Sequence, residues 1–79
     1  MTRPRRMAVP RRVQVRARGT PVEVDGTLVE AVREEWVVED RWWTARPLRR
    51  RYFELVLEDG RNVVVFRDLL TRGWFCQRA

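Results

Sequence analysis

The chain contains no lysine, no histidine, no serine and no isoleucine, and it has a single cysteine, Cys76. Each absence removes chemistry. Without His, Lys or Ser there is no histidine base, no Schiff-base amine and no serine nucleophile. One Cys and no His do not make the usual zinc ligand set, and no carboxylate spacing suggests a hard-cation site. One cysteine forms no internal disulfide, which points to a reducing compartment. No apolar run approaches the ~20 residues of a membrane span. The N-terminal arginines are followed by no apolar segment of the signal-peptide kind. The expectation is a cytoplasmic, non-enzymatic protein with no metal, no cofactor and no membrane contact.

Arginine is what the chain has in excess. All 17 basic residues are Arg against 11 acids, for a formal net charge of +6. The excess sits at one end: residues 1–18 hold Arg3, Arg5, Arg6, Arg11, Arg12, Arg16 and Arg18 and no acid. Arg for Lys and Val for Ile are the substitutions a GC-rich genome favours, so the bias is read mainly as codon drift. Its effect is physical all the same, because a segment of this charge neutralises phosphates without regard to sequence. The bland alternative is a solubilising tail or one that docks on an acidic partner.

Seventy-nine residues allow one domain, and a chain of this size buries only about 60% of its unfolded surface. Residues 1–11, with Pro4 and Pro10, read as a flexible Arg-rich arm. Residues 12–79 read as a single small β domain. Val13, Val15 and Ala17 alternate with Gln14, Arg16 and Arg18, the period of a half-buried strand. Gly19, Thr20 and Pro21 break it. Val22 and Val24 precede Asp25-Gly26, a strong two-residue hairpin signal.

Residues 29–40 fit a helical stripe by Glu and Ala content, yet the hairpin feeding them and Trp36-Val37-Val38 favour a long or bulged strand. Residues 40–47 form a loop carrying Trp42 and Trp43. Neighbouring side chains of an extended chain point to opposite sides, so one of this pair is expected at a surface or interface.

From Arg49 the pattern is densest. Phe53, Leu55 and Leu57 share one face of a strand; Tyr52, Glu54 and Val56 share the other. Glu58-Asp59-Gly60-Arg61 turns the chain. Asn62 to Arg67 returns with apolar residues on both faces, the mark of a central strand covered twice. Asp68 to Arg72 connects to a last strand at Trp74, with Asp68 expected to cap the connection and Cys76 expected buried. The predicted fold is all-β: a small antiparallel sheet of five or six strands, curled into a barrel or half-barrel of SH3-like size.

Several short motifs occur in order: Trp36-Val37-Val38-Glu39, the Trp42-Trp43 pair, Arg50-Arg51-Tyr52-Phe53, Glu58-Asp59-Gly60, Phe66-Arg67-Asp68 and Trp74-Phe75. With them the chain resembles the small C-terminal domain of ImuB-like proteins, the inactive relatives of Y-family translesion polymerases, here as a stand-alone copy. It departs from that pattern at Asp40-Arg41, where the family often has a Gly pair, and at Thr71-Arg72-Gly73-Trp74. The resemblance implies an accessory in DNA repair or translesion synthesis, with a repair-polymerase assembly as a protein partner, but no activity of the domain itself.

Two functional classes follow. The first is a nucleic-acid-binding module, phosphate-led and non-specific, with Arg3, Arg5, Arg6, Arg11, Arg12, Arg49 and Arg51 on the backbone and Trp42, Trp43 and Tyr52 as stacking or partner contacts. The second is a protein-interaction or homodimerisation module using the Trp-rich loop and a free sheet edge. Against the first stands the acidic run Glu30, Glu34, Glu35, Glu39 and Asp40, which is able to pair internally with one face of a second cluster, Arg46, Arg49, Arg50 and Arg51. Trp36 and Trp74 are expected in the core, as a small domain needs large apolar side chains.

Overall fold

The computed structural model describes residues 9–40, 43–45 and 47–78. Seven strands make one antiparallel sheet: β1 (Arg11–Arg12), β2 (Val15–Arg18), β3 (Thr20–Val24), β4 (Thr27–Asp40), β5 (Leu48–Leu57), β6 (Asn62–Asp68) and β7 (Trp74–Arg78). Their spatial order is β1-β7-β6-β5-β4-β3-β2. Among the described residues there is no helix, and so none long and apolar enough to cross a membrane.

The order explains why the sheet curls. β1 and β2 lie at opposite edges, yet only Val13 and Gln14 separate them in the chain. An extended residue spans at most ~3.6 Å, so the two edges must meet at this corner. The meeting is hydrogen-bonded. Val13 N–H donates to the Trp74 carbonyl (3.2 Å), and Asp25 N–H donates to the Gln14 carbonyl (2.7 Å). Gln14 N–H donates to Asp25 Oδ1 (2.8 Å). The result is a half-barrel, as the sequence predicts, with seven strands rather than five or six. The extra strand arises because the alternating stretch after residue 11 leaves β7 and crosses to β3, where one continuous strand was expected.

The turns follow local chemistry. Asp25 and Gly26 both have positive φ (47° and 86°), the backbone a two-residue hairpin needs to match strand twist. Residues 29–40 are strand, not helix, and the strand is bulged between Val29 and Ala31 and between Val32 and Glu34. Asp68 Oδ1 accepts the N–H groups of Leu70 and Thr71 and so caps the short connection into β7.

The concave face holds the core: Val13, Val24, Phe53, Leu55, Leu57, Val63, Val65 and Cys76, with Val15, Val29 and Trp74 packed against them. β6 is covered on both sides, since Val63 and Val65 face this core while Phe66, 1% exposed, is buried on the opposite face.

Candidate binding surface

What buries Phe66 is a row of side chains running across the convex face. Register places Trp36 (β4) opposite Tyr52 (β5), Tyr52 opposite Phe66 (β6), Phe66 opposite Phe75 (β7), and Phe75 opposite Arg12 (β1). Directly opposed residues in an antiparallel sheet share a face, so the five side chains form one line perpendicular to the strands. Trp36 and Tyr52 stack with centroids 5.3 Å apart and planes within 7°. Tyr52 and Phe66 follow at 5.0 Å, then Phe66 and Phe75 at 5.3 Å. The Arg12 guanidinium ends the row 5.9 Å from the Phe75 centroid.

A second cation sits on the row. The Arg50 guanidinium lies 4.4 Å from the Phe66 centroid, and its Nη1 donates to the Tyr52 hydroxyl (3.3 Å). Arg50 Nε is buried with no hydrogen-bond partner among the described residues. Cation–π contact offsets part of that cost. Between Arg50, Phe66, Asp68, Phe75 and Pro10 a shallow cavity of about 240 Å³ opens beside the row. On the row's other flank, Glu34 stands directly opposite Glu54. On the convex face Arg50 and Asp68 thus stand opposite each other on one side of the aromatics, and two glutamates on the other.

Trp36 belongs to this outer row and not to the core; it is 37% exposed. Its expected burial fails because alternation along β4 puts Trp36 on the face opposite Val29. Val29 lies against Leu57 and Glu35 against Phe53 on the core side, and the two intervening bulges each shift register by one residue and cancel in parity. Trp74 does pack on the core, tilted against Phe53 at 5.8 Å.

The structure brings together some of the residues singled out by sequence and separates others. Arg12 and Tyr52 are joined through the row. Arg11 is at the same edge but bonded to Asp25 Oδ2 (3.1 Å). Arg49 pairs with Glu39 (3.0 Å). Arg51 pairs with Glu35, Nε donating at 2.6 Å. Glu35 and Glu39 of the acidic run thus answer Arg51 and Arg49 of the second arginine cluster across β4 and β5. Trp43 is 66% exposed in the β4–β5 connection. Arg3, Arg5, Arg6, Trp42 and Arg46 lie outside the described residues.

Sequence reasoning passed over Phe66, Phe75, Arg50 and Trp36 as surface-forming residues. A signal for one of them, Phe66, was present. Leu57 N–H donates to Arg61 across the tight turn, and counting back from that turn puts Tyr52 opposite Phe66.

Two titrating groups stand out. Asp25 is held below its ordinary value, first by the Gln14 N–H and then by Arg11, with partial burial opposing. Asp59 is lowered chiefly by the Arg61 N–H within its own turn. Neither touches the row. Among the described residues no group of three or more Cys, Asp or Glu side chains is placed to hold a metal ion.

Compared with known protein families, curated proteins and solved structures, the chain shows no significant match.

Proposed function

We propose that this protein is a non-enzymatic module that binds single-stranded nucleic acid on its convex face. The carrying observation is the unbroken row Trp36–Tyr52–Phe66–Phe75–Arg12, which β1 joins directly to the Arg-rich N-terminal segment. Bases stack on exposed aromatic faces with little sequence preference, and arginines at one end of the row meet phosphate. Trp36, at the open end of the row, is the most accessible platform. Arg12 and the arginines before it supply charge at the other end. Arg49 and Arg51 contribute less in this reading, because glutamates already occupy them.

The reading places the module in the cytoplasm, in keeping with its lone cysteine. A role beside a repair polymerase rests on the ImuB-like motifs alone. The test is anisotropy of a labelled single-stranded oligonucleotide against the intact chain and a variant with Arg3, Arg5 and Arg6 changed to Gln. This variant leaves β1 whole, whereas deleting residues 2–12 removes it. Tight binding weakened by the triple substitution is expected; equal affinity for both proteins rejects the assignment of the arm.

A second reading has its own observation. β3 pairs with β4 only at Leu28 and Thr27, so among the described residues the outer edge of β4 from Val29 to Asp40 carries no partner strand. Val32, Trp36 and Val37 are exposed along it. Open edges of this kind accept another strand, which makes a homodimer or a protein partner the alternative. Sedimentation equilibrium distinguishes them: a monomer at all concentrations removes support for the homodimer.

A further inference from the structure

The concave face carries an arrangement that the convex row does not use. Arg51 on β5 stands directly opposite Arg67 on β6, and Arg67 directly opposite Trp74 on β7. Like charges so placed destabilise a sheet. Glu35 compensates Arg51 from the β4 side. Arg67 has no carboxylate within 4.0 Å among the described residues; its guanidinium instead lies 5.5 Å from the Trp74 centroid. The Arg51 guanidinium likewise lies 5.3 Å from the Phe53 centroid. Both arginines line a cavity of about 310 Å³ at the mouth of the half-barrel, with Phe53 and Trp74 as its aromatic walls and Gly19 on its rim. No acid is among the described residues lining it.

We propose that this mouth is a phosphomonoester site, with Arg67 as the principal donor and Arg51 as the second. The Arg67 guanidinium presents a fork that suits a phosphate's several acceptor oxygens, while Arg51, whose Nε and Nη2 both donate to Glu35, adds its charge and its remaining Nη1. An anion beside Arg67 also offsets the like-charge cost of its place opposite Arg51, which Glu35 relieves only from the β4 side. The volume is at the small end for ligand sites, roughly 300–1,000 Å³, which suits a phosphate and the sugar that bears it. On the nucleic-acid reading its source is the terminal phosphate of a strand; the site itself does not depend on that reading.

The experiment titrates inorganic phosphate into the intact chain at ionic strength held constant with chloride. The readouts are the NMR shifts of the Arg67 Nε–H and the Trp74 indole N–H. A saturable shift is expected, abolished in Arg67→Gln and weakened several-fold in Arg67→Lys, which keeps the charge but loses the fork; amide dispersion confirms that both variants fold. No saturable shift, or the same shift in Arg67→Gln, overturns the proposal. In a second arm, an oligonucleotide with a 5′-phosphate is compared with its 5′-hydroxyl twin. About tenfold tighter binding of the phosphorylated strand, a difference of about 1.4 kcal/mol, identifies the strand end as the source. A phosphate response with no binding of either oligonucleotide leaves the site standing and removes the nucleic-acid reading. Equal binding of both strands with no phosphate response removes the site and leaves that reading intact.

Discussion

Trp36 and Tyr52 lie face to face on neighbouring strands, their ring planes within 7° of parallel, and Trp36 caps the row with its outer side open to solvent. Stacking on an aromatic contributes about 1–3 kcal/mol per base by alanine substitution. Trp36→Ala is therefore expected to weaken oligonucleotide binding by at least several-fold, and Trp36→Phe to restore most of it. Anisotropy titrations of the three proteins check this. Unchanged affinity in the alanine variant would remove the row from the interface.

Phe66 is the buried keystone of the same row. Its removal loses contacts with Tyr52, Phe75 and the Arg50 guanidinium together, so Phe66→Ala is expected to cost about 3–5 kcal/mol. That is a large share of the ~5–15 kcal/mol that stabilises a typical domain. Urea unfolding measures it. A loss well below 1 kcal/mol would show that the convex row is not part of the folding unit.

Arg12 and Arg49 make a contrasting pair. Arg12 ends the row over Phe75, while Arg49 is held by Glu39 in an exposed ion pair. Arg49→Gln is expected to change stability by less than ~1 kcal/mol and oligonucleotide affinity little. Arg12→Gln is expected to lower affinity and to reduce its salt dependence by about one phosphate contact. Competition binding at two salt concentrations separates them, and equal effects would contradict the different roles assigned here.

Acid stability isolates the corner where the barrel closes. Asp25 titrates below its ordinary value when folded, because its ionised carboxylate accepts the Gln14 N–H and pairs with Arg11. A carboxylate lowered by folding contributes stability above its unfolded pKa of about 3.9. That contribution disappears as pH falls through the lower folded value. Asp25→Asn keeps an oxygen for Gln14 and tolerates the left-handed backbone. It is expected to flatten the decline in stability below about pH 4 and to cost less than ~1 kcal/mol at neutral pH, since the ion pair is largely solvated. Thermal melts from pH 2 to 7 check this; an acid limb identical to wild type would contradict it.

The sheet was legible in the sequence because its signals are local. Alternation marks Phe53, Leu55 and Leu57, Asp25-Gly26 sets the first hairpin, and apolar residues on both faces mark β6 as central. The convex row was not, because it depends on register between strands. The tight turn fixes Tyr52 against Phe66, but Trp36 joins them only across the connection from Asp40 to Leu48, whose length sets the β4–β5 register and is not readable from strand alternation. Closure of the barrel was hidden for a similar reason. Nothing in Val13-Gln14 as a sequence says that the chain leaves one edge there and begins the other. Pairing of Glu35 and Glu39 with Arg51 and Arg49 was legible as a charge balance between two runs, though not which residues met.

The salt dependence of single-stranded oligonucleotide binding tests the central claim most directly. With about five arginines on phosphate, a plot of log K against log salt should fall with a slope of roughly −3 to −4. Trp36→Ala should lower the line without changing that slope. A flat line, or no measurable binding at ~50 mM salt, would contradict the account.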